Sequence, residues 1–192
     1  MAPWLRLIFA APYRGVLAGL RVLRVRANHL TAASLAVSIA TAVLLGVGRR
    51  FLPAMLLLAA GLLDVFDGAV ARARGESGPR GAWLDSVIDR VADGAVLGGL
   101  FLALSRQGDG RLASLTLGAL VVSLAVSYVR ARALAFGVSL KEGIFARAER
   151  TVALTIGLAQ PGALGPALVA LVVFGALTLF QRAWHTRNAL AQ

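Results

Sequence analysis

The chain is predicted to be an all-α integral membrane protein, with six transmembrane helices and an N-terminal amphipathic juxtamembrane helix. Three observations carry that expectation. Of 192 residues, 58% are hydrophobic and 15% charged, with a mean hydropathy of +0.77, whereas soluble domains are about 45–50% apolar and about 25% charged. Several apolar runs approach the roughly 20 residues that a spanning helix needs. The 20 Lys and Arg against 9 Asp and Glu leave a net charge of +11; beside such runs this excess fits a membrane surface, and no nucleic-acid partner is expected. Cysteine is absent and only His29 and His185 are present, which excludes a disulfide framework, a thiolate metal site, a Cys nucleophile and a His-rich zinc cluster.

Residues 1–28 mix Arg6, Arg14, Arg21, Arg24 and Arg26 with apolar Trp4, Leu5, Ile8, Phe9, Leu17 and Leu20, the pattern of a segment lying on a membrane surface. Met1 to Ala11 has too short an apolar stretch before Pro12 for a signal peptide. The first apolar run is Leu30 to Val47. The second is Phe51 to about Leu63, and its helical pattern continues through Asp64 and Asp67 to Arg74. Residues Gly75 to Arg80 (GESGPR) form a loop. A third helix starts near Gly81 and runs through Asp85, Asp89 and Asp93 into apolar Val96 to Leu104. Gln107 to Gly110 turns the chain into a fourth span, Leu112 to Val129. Gly137 to Glu149 is a polar connection. Val152 to Leu158 opens a fifth span, interrupted at Gln160-Pro161-Gly162, and the sixth covers about Leu164 to Phe180. One membrane domain, 1–192, is expected, with the six-helix bundle over 29–183.

Six spans put both termini on one side. Sixteen of the twenty basic residues then fall on that side and only Arg49, Arg50, Arg106 and Arg111 on the other, so both termini are expected to be cytoplasmic.

Six of the nine acids lie between positions 64 and 93, beside apolar stretches. Carboxylates at the margin of a bilayer are costly, which marks them as functional candidates. Asp64 and Asp67 are i,i+3 and share a helix face. Asp85, Asp89 and Asp93 step by four and share another. The short 75–80 loop is expected to bring the two helices together antiparallel, so that four or five carboxylates converge. So many like charges cannot all stay ionised without a cation, and oxygen-only ligands suit Mg²⁺, Mn²⁺ or Ca²⁺. Two other readings of the cluster are an ion-paired hairpin neutralised by Arg72 and Arg90, and the ion path of a cation transporter.

At these residues the sequence resembles a family. Asp64-x2-Asp67-Gly68-x2-Ala71-Arg72-x8-Gly81-x3-Asp85-x3-Asp89 meets every fixed position of the signature of CDP-alcohol phosphatidyltransferases. The resemblance implies a membrane enzyme and a homodimer, with its site expected on the cytoplasmic side, and the richness in Ala, Arg, Leu and Gly suggests a prokaryotic inner membrane. Such an enzyme moves a phosphatidyl group from CDP-diacylglycerol to an alcohol and releases CMP. It implies that Asp64, Asp67 and Asp85, with Asp89 beside them, hold two divalent ions per site (Mg²⁺ or Mn²⁺), and that Asp89 is also the general base. Gly68, Ala71, Arg72 and Gly81 match positions that hold the cytidine diphosphate, together with Asp67, and Asn28 and Thr31 match positions near the nucleotide. The usual Pro before that Asn is Ala27 here.

The C-terminal half resembles the phosphatidylinositol-phosphate synthase branch. Ser127-Tyr128-Val129-Arg130-Ala131-Arg132-Ala133 stands where Ser-Tyr-Ile-Lys-Ala-Arg-Ala is usual, Phe145 to Arg150 where Ile-Glu-Arg-Pro-Glu-Arg is, and Gln181-Arg182 matches a Gln-Arg pair. That resemblance implies a polyol phosphate acceptor, inositol phosphate, bound through Arg130, Arg147, Arg150 and Arg182. Glycerol 3-phosphate would fit the same charge, and a cytoplasmic basic loop is the simpler reading of these arginines.

Overall fold

The computed structural model describes residues 26–75, 78–140 and 143–191, together with Gly15 and Gly19; the expected amphipathic segment 1–28 lies almost wholly outside the described residues. Among the residues from 26 onward that are described, six helices follow one another: α1 (Ala27–Gly46), α2 (Phe51–Arg74), α3 (Pro79–Arg106), α4 (Gly110–Ala135), α5 (Arg147–Ala159) and α6 (Leu164–Leu190). There is no strand among the described residues. Local chemistry sets several boundaries. Pro79 opens α3, where a missing N–H costs nothing. Asp109 caps α4 by accepting from the Leu112 N–H at 3.0 Å.

Helices α1, α2, α4 and α6 are long and apolar enough to cross a membrane. The 28-residue α3 carries Asp85, Asp89, Arg90 and Asp93 in its first half. With 13 residues, α5 is about 20 Å long at 1.5 Å per residue, short of a hydrocarbon core of about 30 Å. Among the described residues four helices are thus candidate spans by length and composition, which fits a multi-pass membrane protein.

Each helix packs against two others, in the cyclic order α1, α3, α4, α6, α5, α2 and back to α1. The six helices form a closed ring. The outside is apolar, with Ile39, Val43, Leu58, Leu62, Leu117, Val121, Val173 and Leu177 exposed, while Ser34, Ser38, Thr41, Thr116, Ser123 and Thr178 are buried. This inverts the soluble pattern, as expected where lipid replaces water and small residues let helices approach. The buried hydroxyls bond their own helices, Ser38 to the Ser34 carbonyl, Thr116 to Leu112 and Thr178 to Phe174, each at 2.8–2.9 Å. Close helix contacts at Gly99 and Gly175 require glycine. A Cβ on Gly99 of α3 would strike the Ala42 backbone of α1, and one on Gly175 of α6 would lie 2.6 Å from Val122 Cγ1 of α4.

The ring has two unlike ends. Leu45, Leu100, Leu104, Leu158, Leu164 and Leu168 plug the end formed by the short turns. Most of the charged residues gather at the other end, with Arg49, Arg50, Arg106, Asp109 and Arg111 beside the short turns.

The expected antiparallel pairing of α2 with α3 does not form. Among the described residues, no Cα of α2 comes within 8 Å of one in α3, and both helices instead pack on α1. The seam of Thr31, Ser34, Ser38 and Thr41 on α1 is narrow enough to seat them, and Ser34 donates to the Ala60 carbonyl of α2 at 3.1 Å. The expected convergence of carboxylates still occurs, Asp64 and Asp67 of α2 meeting Asp85 of α3 within 4.8 Å, while a cleft is left between the two backbones.

Candidate active site

The site is built from the C-terminal ends of α2, α4 and α6 and the N-terminal turns of α1, α3 and α5. Asp64, Asp67 and Asp85 each offer an oxygen within 4.8 Å of the others. Asp67 is buried, and its Oδ2 accepts from Thr31 Oγ1 at 2.7 Å. That bond fixes the carboxylate's orientation and leaves Oδ1 for another partner. Buried Asp85 Oδ1 has no hydrogen-bond partner. Three converging carboxylates, one with an orphaned buried oxygen, make a hard-cation donor set, so these residues fit a divalent ion.

Asp89 is not one of the three whose oxygens all lie within 4.8 Å of one another, although it stands beside Asp64. It faces Arg147, at the start of α5, whose Nη1 lies 2.6 Å from Asp89 Oδ1 and 2.7 Å from Asp64 Oδ2. One nitrogen thus pairs with both carboxylates. Arg90 Nη1 lies 3.8 Å from Asp89 Oδ2 and hydrogen-bonds the Ser86 hydroxyl and carbonyl of its own helix.

On the outer side of the trio lies a cleft of about 1500 Å³ between α2 and α3. Asn28, Thr31, Asp67, Gly68, Ala71, Arg72 and Gly81, the residues matched to nucleotide-binding positions, all line it. Arg26 and Arg80 line it too, adding positive charge that the sequence reading did not assign. The two signature glycines serve different ends. A Cβ on Gly68 would come within 3.3 Å of Arg72 Nη1, so this glycine makes room for the guanidinium. A Cβ on Gly81 would meet nothing within 4 Å; packing does not demand its smallness, which keeps the cleft wide.

On the inner side a pocket of about 890 Å³ is lined by Arg130 of α4, Arg147 and Arg150 of α5 and Arg182 of α6, together with Asp64, Asp89 and Asp93. The four arginines singled out from the C-terminal half therefore converge on the carboxylates. Arg130 is exposed, whereas Arg150 and Arg182 are buried at 8% and 7% exposure. Arg182 Nη1 donates to the Val126 carbonyl at 3.2 Å, across the α4–α6 contact. The Phe145 N–H donates to Thr178 Oγ1 at 3.2 Å, and the Phe145 and Phe174 rings lie 5.6 Å apart, which ties the start of α5 to α6.

Asp93 belongs to this network, and the sequence reading gave it no role. Its Oδ1 lies 3.5 Å from Arg147 Nε and its Oδ2 3.8 Å from Arg150 Nη2. The signal was present, since Asp93 continues the four-residue step of Asp85 and Asp89.

A ring of apolar-faced helices closed at one end by leucines, with carboxylates between a basic cleft and a basic pocket at the other, defines a membrane-embedded site for metal-assisted chemistry on phosphates. Comparison with known proteins narrows the class: residues 24–185 match the CDP-alcohol phosphatidyltransferase family, and the chain belongs to it. It is a divalent-metal-dependent transferase of phospholipid biosynthesis. The chain is 36% identical over 162 residues to archaetidylinositol phosphate synthase of Methanothermobacter thermautotrophicus, covering 81% of this chain and 80% of that one. It is 36% identical over 166 residues to phosphatidylinositol phosphate synthase of Mycobacteroides abscessus, covering 83% and 74%. Its fold superposes on the Mycobacterium tuberculosis phosphatidylinositol phosphate synthase crystallised with CDP-DAG bound, with a TM-score of 0.80 and 32% identity over 90% of this chain and 92% of that one. The same protein in complex with manganese and citrate superposes with a TM-score of 0.81, over 90% and 87%.

Proposed function

We propose that the chain transfers the phosphatidyl group of CDP-diacylglycerol to a hydroxyl of a phosphorylated polyol, inositol phosphate, and releases CMP. One observation carries the choice of acceptor: Arg130, Arg147, Arg150 and Arg182, from three helices, line one pocket with the carboxylate of Asp89. Guanidinium groups converging from three helices suit a phosphomonoester, whose oxygens they can bind bidentately, better than a neutral alcohol. The inositol-phosphate-using names of the relatives support the same polyol.

In this reading the cleft along Asn28, Thr31, Gly68, Ala71, Arg72 and Gly81 takes the cytidine and its diphosphate, with Asp67 at its edge. Asp64, Asp67 and Asp85 hold two ions, Mg²⁺ or Mn²⁺, with Asp89 beside them; bound there, the cations neutralise the diphosphate and stabilise the CMP leaving group. Arg72 holds diphosphate oxygens. Asp89 accepts the proton of the acceptor hydroxyl as that oxygen attacks the β-phosphorus, the new P–O bond forming as the bond to CMP breaks. Arg147 and Arg150 hold the acceptor phosphate so that the hydroxyl meets Asp89. Six helices crossing or entering the bilayer, cytoplasmic termini, a cytoplasmic-facing site and a homodimer complete the proposal. The basic-residue asymmetry and the gathering of the charged groups at one end of the ring support its orientation.

The test is CMP release by purified protein given labelled CDP-diacylglycerol and a panel of acceptors. Inositol phosphate should be used and free inositol should not. Equal rates with both overturn the phosphate pocket; preference for glycerol 3-phosphate keeps the pocket and overturns the polyol.

A further inference from the structure

The structure assigns Asp93 as the positioning residue that sets the acceptor pocket's two α5 arginines, Arg147 and Arg150, against the general base. The inference rests on the acceptor reading above. Arg147 and Arg150 are i,i+3 on α5 and therefore share a face. Both are largely enclosed, with 28% and 9% of their side chains exposed. Two guanidinium groups side by side in a water-poor interior repel, and without a counter-charge one would leave the pocket or α5 would turn. Asp64 and Asp89 already pair with Arg147 at 2.7 and 2.6 Å; Asp93, from across the ring, adds a carboxylate that reaches both arginines, Arg147 through Oδ1 and Arg150 through Oδ2.

Its place on α3 gives it a second consequence. Asp85, Asp89 and Asp93 stand on one face at successive turns, about 6 Å of rise apart. The same rigid helix thus presents a metal-site carboxylate, the general base and the arginine anchor in order. A phosphate held by Arg147 and Arg150 is thereby held at a fixed distance from Asp89, which is what an attacking hydroxyl needs.

The long contacts matter as well. At 3.5 and 3.8 Å, Asp93 holds both arginines by charge without taking all of their hydrogens. Arg147 Nε and Arg150 Nη1 are buried with no hydrogen-bond partner. Buried donors left unmade cost free energy, and an anionic acceptor in the adjoining pocket would satisfy them.

Steady-state kinetics of Asp93→Asn and Asp93→Glu beside the unmodified protein test this. Asp93→Asn should raise the acceptor KM about 10- to 100-fold, the scale of a lost charged hydrogen bond. Its kcat at saturating acceptor, CDP-diacylglycerol KM and Mn²⁺ half-saturation should stay within about threefold. Asp93→Glu should recover part of the acceptor KM. In an Arg147→Ala, Arg150→Ala background, Asp93→Asn should add little, because its effect runs through those arginines. An unchanged acceptor KM, or a fall in kcat alone, overturns the inference. If Asp93→Asn does not fold, Asp93→Glu decides, since its longer side chain must still raise the acceptor KM. Equal use of free and phosphorylated inositol by the unmodified protein overturns the acceptor reading and this inference together. A normal acceptor preference with an insensitive KM overturns this inference alone.

Discussion

Replacing Thr31 with Val tests how the carboxylate site is held. The hydroxyl of Thr31 donates to Asp67 Oδ2 at 2.7 Å, with the two residues only 6% and 5% exposed. Valine keeps the branched shape, so no cavity opens on the α1 face that seats α2, and the change isolates the hydrogen bond. A bond to a charged group is worth about 1.5–3 kcal/mol, or roughly 10- to 150-fold. Loss of an outer-shell partner costs about 10- to 100-fold in metal affinity. The two scales agree. The assay is CMP release against Mn²⁺ or Mg²⁺ concentration after treatment with EDTA, which should itself abolish turnover, with direct Mn²⁺ binding as a second readout. Half-saturation by metal should shift at least 10-fold in Thr31→Val and little in Thr31→Ser, while turnover at saturating metal survives. If the metal requirement moves less than threefold and the CDP-diacylglycerol KM rises instead, Thr31 serves the nucleotide directly and the orienting argument fails.

Gly81→Val should leave the melting point unchanged, because a Cβ there meets no protein atom, yet raise the CDP-diacylglycerol KM at least 10-fold; an unaltered KM would show that the cleft does not need that space. Gly99→Ala should destabilise the ring, since its methyl would collide with the Ala42 backbone. Overpacking costs about 1–3 kcal/mol, and about 2–4 °C per kcal/mol for a chain of this size gives a fall of several degrees in detergent. Asp89→Asn should lower kcat about 10²- to 10⁴-fold, the usual weight of general-base catalysis, with CDP-diacylglycerol binding retained. Collapse of that binding with turnover intact at saturation would make Asp89 a ligand and not the base.

Much of the architecture is a local property and was open to reading. A helix able to cross a bilayer is determined by some 20 successive apolar residues, and the expected starts at Phe51 and Leu164 coincide with α2 and α6. The pairing of Asp64 with Asp67, and the step from Asp85 through Asp89 to Asp93, follow from 3.6 residues per turn. The residue types and spacing around Gly68, Ala71, Arg72 and Gly81 were enough to mark the family. Which helix lies beside which is not local. The order of the ring depends on small contacts such as Gly99 on Ala42 and Ser34 on Ala60, spread over positions that look like any other alanine, serine or glycine. For that reason the sequence reading closed α2 onto α3, where the fold instead seats both on α1 and opens a cleft. The same order sends Arg147 across to Asp64 and Asp89, and Asp93 to Arg147 and Arg150. Composition and period decided what the helices are and which faces carry charge; only their closure into a ring decided which charges meet, because ion pairs between distant turns form only after backbone packing has fixed the distance between them.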